Sequence, residues 1–217
     1  MEDFLSSCSG VNLDQAGSGF HVVLGNEACD VDSMVCALTY AYFLSKVSLQ
    51  PIAAGVCLPL RSDSVYLLRQ VALDPELLLF RDQLDLRDLH RGGRLRLTLV
   101  DHNVLSDSDL EGAVVEVIDH HLQERASSPS CPVTVEVVGS CATLVTERIL
   151  QKAPEVLDQQ VAQLLYGKRL NRPQHFLTAP GPVPRTSVHF VDEKCSLTNL
   201  FFMTKTRLRR DENDLKK

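Results

Sequence analysis

The sequence predicts an α/β fold: a Rossmann-like sheet of about five mostly parallel strands with helices on both faces, over roughly 18–167. Three observations predict it. Apolar, β-branched runs alternate with stretches of helical spacing, the pattern of a parallel sheet covered on both sides. Two of those runs, around 95–100 and 114–118, stop abruptly at Asp-His. An earlier run, Phe-His-Val-Val-Leu-Gly at 20–25, breaks into a polar turn from Asn26 to Ser33 before a long apolar stretch. In open α/β sheets the carboxyl ends of the strands are where ligands bind.

Taken in order, residues 20–25 read as the first strand. Met34 to Lys46, apolar on nearly every side, reads as a buried helix with Asp32 or Ser33 near its N-cap. Residues 52–58 read as a second strand closed by Pro59, and 62–72 as a helix with apolar positions at 65, 67, 68 and 71. Leu77 to Phe80 reads as a short buried strand, and 83–90 as a helix ending at the Gly92-Gly93 turn. The two Asp-His strands follow at 95–101 and 114–119. After a polar loop over 122–132, Val133 to Val138 reads as a strand. Gly139-Ser140 opens a helix over 141–151, and Pro154 opens another that runs to Tyr166.

Composition limits the classes. The first residues, Met-Glu-Asp-Phe-Leu-Ser-Ser-Cys, carry acids where a signal peptide needs basic residues. No run reaches the roughly 18 apolar residues of a membrane span. Seven irregularly spaced cysteines fit a reducing compartment, the cytoplasm with the nucleus as a second location. Cys29, Cys36, Cys57 and Cys141 lie in apolar stretches and read as core. The net charge of −6 conceals a split: residues 1–167 hold 11 Lys and Arg against 23 Asp and Glu, while 168–217 hold 11 against 5. An acidic body disfavours a grip on nucleic acid and suits a site that gathers divalent cations.

The domain reading is an N-terminal segment 1–17, the α/β domain 18–167, and a basic tail 168–217. The tail has four prolines between Lys168 and Arg185 and little periodicity, which reads as poorly ordered. Its Lys205–Arg210 run reads as a solvated tail.

An isolated Asp-x-Asp such as Asp30 and Asp32 is ordinarily a helix cap and a solvated neighbour. Here two separate strand ends, Asp101-His102 and Asp119-His120-His121, accompany it. Carboxylates and imidazoles converging on one sheet edge suit hard to borderline divalent metals such as Mn²⁺ or Mg²⁺. Two such ions about 4 Å apart activate water and screen a phosphoryl group.

The set Asn26…Asp30-x-Asp32, Asp101-His102-Asn103 and Asp119-His120-His121 resembles the first three motifs of the DHH phosphoesterase superfamily. That superfamily includes manganese-dependent inorganic pyrophosphatases, exopolyphosphatases and the RecJ nucleases. The wording Leu-Gly-Asn-Glu-Ala-Cys-Asp and Gly-Ser-Cys-Ala-Thr-Leu-Val-Thr-Glu is most similar to its prune branch of animal exopolyphosphatase-like proteins. The resemblance implies a metal-dependent phosphohydrolase that holds two ions, Mn²⁺ or Mg²⁺, and acts on short-chain polyphosphate, pyrophosphate or a nucleotide. It implies that Asp30 ligates one ion and Asp32 the other, that Asp101 bridges them, and that His120 is a further ligand. His121 is implied to touch a substrate phosphate, making Asp101, His120 and His121 the catalytic set, with Asn26 and Ser140 as weaker substrate contacts. Asp119 is implied to hold its strand end by hydrogen bonds, with His102 and Asn103 supporting the metal ligands or the fold. Gly139, Ser140 and the following helix resemble a turn whose free N–H groups meet an anion.

The sequence departs from that pattern twice. Asn26 stands where the pyrophosphatases carry a metal-binding His, which implies one weaker metal site. After Tyr166-Gly167 the pattern expects a strand ending in a fourth Asp, but Lys-Arg-Leu-Asn-Arg-Pro follows, with no Asp before Asp192. The expectation is an alternative or truncated C-terminus, loss of the second family domain, and impaired turnover. The rival reading is a non-catalytic, partner-binding signalling protein that retains the DHH domain. A nuclease is disfavoured because the acidic body offers no basic, aromatic-lined groove.

Overall fold

The computed structural model describes residues 1–9, 19–49, 52–57 and 59–167. The expectations for 168–217 lie outside the described residues. Five strands, β1 (Phe20–Leu24), β2 (Ile52–Gly55), β3 (Leu95–Val100), β4 (Val114–Asp119) and β5 (Val133–Val135), form one sheet in the order β2-β1-β3-β4-β5. Every neighbouring pair is parallel. All five residues of β1 are buried, and side chains alternate between faces along a strand, so both faces are covered there. The chain leaves β1 for β2 on one side and returns as β3 on the other. Their carboxyl ends therefore flank the point where winding reverses, the place where a crevice opens in such sheets.

The helices are α1 (Glu2–Ser9), α2 (Val31–Val47), α3 (Ser62–Gln70), α4 (Leu86–Arg91), α5 (Cys141–Lys152) and α6 (Gln159–Gly167). Helix α2 is the hub: it packs on β1, β2 and β3 and against α3, α5 and α6. Twelve of its seventeen residues are buried, which is why its sequence looked apolar all round. None of the helices among the described residues is long and apolar enough to cross a membrane.

Several boundaries differ from the sequence reading, each for a local reason. The N-cap of α2 is Asp30, whose carboxylate accepts from Ser33 N at 2.9 Å, and not Asp32 or Ser33. Residues 77–80 do not form a strand. Asp74 caps a 3₁₀ turn begun by Pro75, and only Phe80 bridges to Val56 just beyond β2. The helix expected over 83–90 is a 3₁₀ turn at 81–83 followed by α4, which Asp85 caps by accepting from Asp88 N. Strand β5 stops at Val135, where Glu136 N turns back to Asp119 O. Pro154 opens a 3₁₀ turn rather than a long helix, and Asp158 restarts the chain as α6 by accepting from Val161 N. The N-terminal segment, given no structure from sequence, contains α1. It buries Phe4, Leu5 and Cys8, and the Cys8 thiol donates to Ile52 O. Cys29, Cys36, Cys57 and Cys141 are buried, as their apolar surroundings indicated.

Beneath the site, His21 of β1 is buried with its Nε2 2.8 Å from Thr98 Oγ1 of β3. Burial, with help from the nearby Arg96 charge, holds its pKa down at about 4 instead of 6.5. The unfolded chain therefore binds this proton at higher pH than the folded one. The stabilising contribution is complete above about pH 6.5 and is lost as pH falls toward 4, at up to about 1.4 kcal/mol per pH unit. Thermal melts between neutral pH and pH 5 should show His21→Gln losing stability less steeply than the unsubstituted chain. Equal slopes would remove His21 from the acid response.

Candidate metal and phosphate site

The site grows out of how three strands end. Gly25 closes β1 against the first turn of α2, where a Cβ would lie 2.6 Å from Ser33 Oγ. The polar turn then places Asp30 at the N-cap and Asp32 one residue into α2. Residues two apart at a helix start point away from each other. Asp30 accordingly serves its own helix, while Asp32 reaches across to another one. The buried Asp32 carboxylate accepts from Ser140 Oγ at 2.7 Å, Cys141 N at 3.1 Å and Ala142 N at 3.2 Å. The α5 amides that the sequence reading left open to a substrate anion are therefore already bound, and the anion is Asp32 itself. Ser140 is the N-cap of α5 and its hydroxyl is tied to the same carboxylate.

Strand β3 ends because Asp101 adopts a left-handed backbone conformation with φ 65°. This is tolerated best by Gly, Asn and Asp, and in other settings marks stored strain at a functional position. Asn26 fixes that bend: its Nδ2 donates to Asp101 O at 2.9 Å, and its Oδ1 accepts from Ala28 N. The Asn26 side chain thus braces two strand ends. The Asp101 carboxylate is 3% exposed, and its Oδ1 has no hydrogen-bond partner.

Strand β4 delivers the histidines. His120 Nδ1 lies 3.0 Å from Val138 O, which can only accept, so Nδ1 carries the proton and Nε2 presents its lone pair. That Nε2 sits 3.2 Å from Asp101 Oδ1 and 3.7 Å from Asp32 Oδ2. A lone pair facing a buried carboxylate requires a cation between them, either a proton or a metal. Asp101 raises the His120 pKa to about 8 against the opposing effect of burial. Burial also pushes the Asp101 carboxyl up; the His120 ring opposes this, and the charges of Asp32 and Asp30 add to it.

His121 stacks near His120, with ring centroids 4.4 Å apart, and half its side chain faces solvent. Its Nδ1 is 2.7 Å from Asp119 Oδ1. Asp119 is fully buried and also accepts from His120 N, His121 N and Asn103 Nδ2. Burial alone would raise its pKa, but these donors outweigh it and hold the carboxyl low. His102 turns its Nδ1 to Val100 O, at the back of the strand end.

The structure therefore brings Asp101, His120 and His121 together, each offering one ligand atom within 4.8 Å of the others. Asp32 borders this group, and Asp30 lies close enough for its charge to act on Asp101. Asn26 and Ser140 spend their side chains on the frame. Sequence reasoning did not find the Val138 carbonyl, which selects the His120 tautomer, since a backbone acceptor leaves no residue signature. The donor set of carboxylates and imidazoles, with the buried Asp101 oxygen at its centre, fits a divalent cation such as Mn²⁺ or Mg²⁺.

Residues 21–167 match the family described as DHH family, N-terminal domain. Over 176 residues the sequence is 52% identical to exopolyphosphatase PRUNE1 of Mus musculus, covering 77% of this chain and 38% of that protein. It is 32% identical over 154 residues to a putative exopolyphosphatase of Schizosaccharomyces pombe, covering 67% of this chain and 40% of that one. The chain thus spans about two fifths of the length of these relatives. In fold it is similar to the crystal structure of the Methanococcus jannaschii putative family II inorganic pyrophosphatase. The TM-score there is 0.51 at 21% identity, over 74% of this chain and 50% of that chain.

Burial of Asp101, reinforced by the Asp32 and Asp30 charges, outweighs the His120 ring and makes the ionised carboxylate costly. Asp101→Asn keeps a side chain that accepts φ 65° and removes the charge. The metal-free variant is expected to be more stable by about 1 kcal/mol, a rise of roughly 2–4 °C in melting temperature. A lower melting temperature would show that Asp101 supports the fold rather than strains it.

Proposed function

This chain belongs to the DHH family, and from that premise we propose that its described residues house the metal centre of a phosphohydrolase. The bond cleaved is a phosphoanhydride or phosphodiester, in short-chain polyphosphate, pyrophosphate or a nucleotide. The observation that carries the reading is Asp101 Oδ1, buried and 3.2 Å from the Nε2 of His120, with Asp32 Oδ2 3.7 Å from the same nitrogen. In this reading Asp101 and His120 hold the metal, with Asp30 and Asp32 completing the set for two ions of Mn²⁺ or Mg²⁺. When bound, such ions lower the pKa of water and stabilise charge on a phosphoryl group. The protein's own share is positional. Asp101 supplies fixed negative charge, and Val138 O keeps the His120 lone pair aimed inward. His121, half exposed and held through Nδ1, turns its other nitrogen to the substrate phosphate.

Turnover by these residues is expected to be slow. Asp32 shares its charge with the α5 amides, and residues 168–191 contain no aspartate to add a further ligand. The described cysteines Cys8, Cys29, Cys36, Cys57, Cys131 and Cys141 are free thiols, which supports a cytoplasmic or nuclear setting. A second reading, a partner-binding protein, draws support from Leu122 and Val137, large apolar side chains exposed near the same rim. It predicts self-association or partner capture that Asp101→Ala leaves unchanged.

Calorimetric titration of Mn²⁺ into the chain and into Asp101→Ala tests the metal centre. Binding at about micromolar affinity that the substitution abolishes is the expected result, accompanied by slow, metal-dependent release of phosphate from tripolyphosphate. Equal binding by both proteins would refute the centre.

A further inference from the structure

The buried amide of Asn103 has no place in the metal set, yet it makes more contacts than a strand-end residue needs. It is 5% exposed. Its Nδ2 donates to Asp119 Oδ2 at 2.6 Å and to Leu122 O at 2.9 Å, while its Oδ1 accepts from Glu124 N at 2.8 Å. Two of these bonds hold the chain immediately after His121, and the third holds the carboxylate that His121 leans on. The amide therefore grips His121 from both sides without touching it.

We propose that Asn103 is a positioning residue that fixes the tautomer and orientation of His121 through Asp119. A carboxylate has two oxygens and can rotate. Asp119 presents Oδ1 to His121 Nδ1 at 2.7 Å and to the amides of His120 and His121, because Oδ2 is held from behind by Asn103. With Asp119 ionised, His121 Nδ1 must donate, so Nε2 is the nitrogen presented outward. Removing the Asn103 donor leaves Asp119 Oδ2 unpaired in a fully buried site. The carboxylate then turns to recover a donor, and His121 loses its single orientation. Any contact between His121 and phosphate rests on the function proposed above, whereas the tautomer does not.

The test uses the full chain in Mg²⁺ with Asn103→Leu, a substitution of similar size without hydrogen bonds. Long-range ¹H–¹⁵N correlation spectra at alkaline pH should show His121 in one tautomer, protonated at Nδ1, in the unsubstituted chain and in two tautomers in the variant. If Asn103→Leu does not fold, Asn103→Ala is read the same way. An unchanged single tautomer overturns the proposal. A second arm measures imidodiphosphate affinity: Asn103→Leu should weaken it roughly tenfold, and the double variant with His121→Ala should bind no worse than His121→Ala alone. Losses that multiply would mean that Asn103 acts on the fold at large, and would overturn the assignment. Failure of the analogue to bind the unsubstituted chain counts against the metal-centre reading, and the spectra still decide the role of Asn103.

Discussion

A carboxylate buried in a protein must find donors, and Asp32 finds them at the N-terminus of α5. Desolvating that charge costs several kcal/mol in isolation. Two helix amides and the Ser140 hydroxyl, aligned with the positive end of a twelve-residue helix, offset that cost. The bond joins the first crossover helix to the last part of the sheet, across more than a hundred residues of chain. It also determines where Val138 lies, since that residue sits just before the α5 cap and supplies the acceptor for His120 Nδ1. The tautomer of His120 is thus a consequence of how Asp32 is satisfied.

Asp101 occupies the opposite electrostatic position. It is as buried as Asp32, but its Oδ1 faces the His120 ring instead of helix amides, its backbone is held at φ 65°, and two other carboxylates press on it. Natural structures keep such a group where a ligand supplies what the fold withholds. The Asn26 amide pinned to Asp101 O shows that the bend is built in and does not arise from a loose loop. The site then holds two buried acids in different settings: Asp32 among helix amides, and Asp101 against the His120 ring.

The parallel sheet was legible because β-branched runs ending in Asp-His are a local pattern, and because α2 is buried on almost every side. The strand ends carrying Asp101 and His120 could be read for the same reason. What the sequence did not yield is contact at long separation. Nothing near Asp32 announces that its donors are Cys141 and Ala142, and an Asp-x-Asp offers two residues that are equally good caps. The short irregular pieces were lost to competing turn chemistry. Asp74-Pro75 and Ala153-Pro154 start 3₁₀ turns where apolar periodicity alone suggested a strand and an unbroken helix. Helix α1 went unread because eight residues give little periodicity to detect.

His120 and His121 follow directly on β4. They are adjacent in sequence, so on an extended strand they would face opposite sides of the sheet. Both nevertheless serve the same edge, because the chain leaves the strand at Asp119. Its carboxylate folds the two following amides over itself, accepting from His120 N and His121 N. What separates the rings is the acceptor each Nδ1 finds. The neutral Val138 carbonyl leaves His120 to answer to the charge of Asp101. The ionised Asp119 ties His121 to a charge of its own. Both rings thus give Nδ1 to the frame and leave Nε2 for the site.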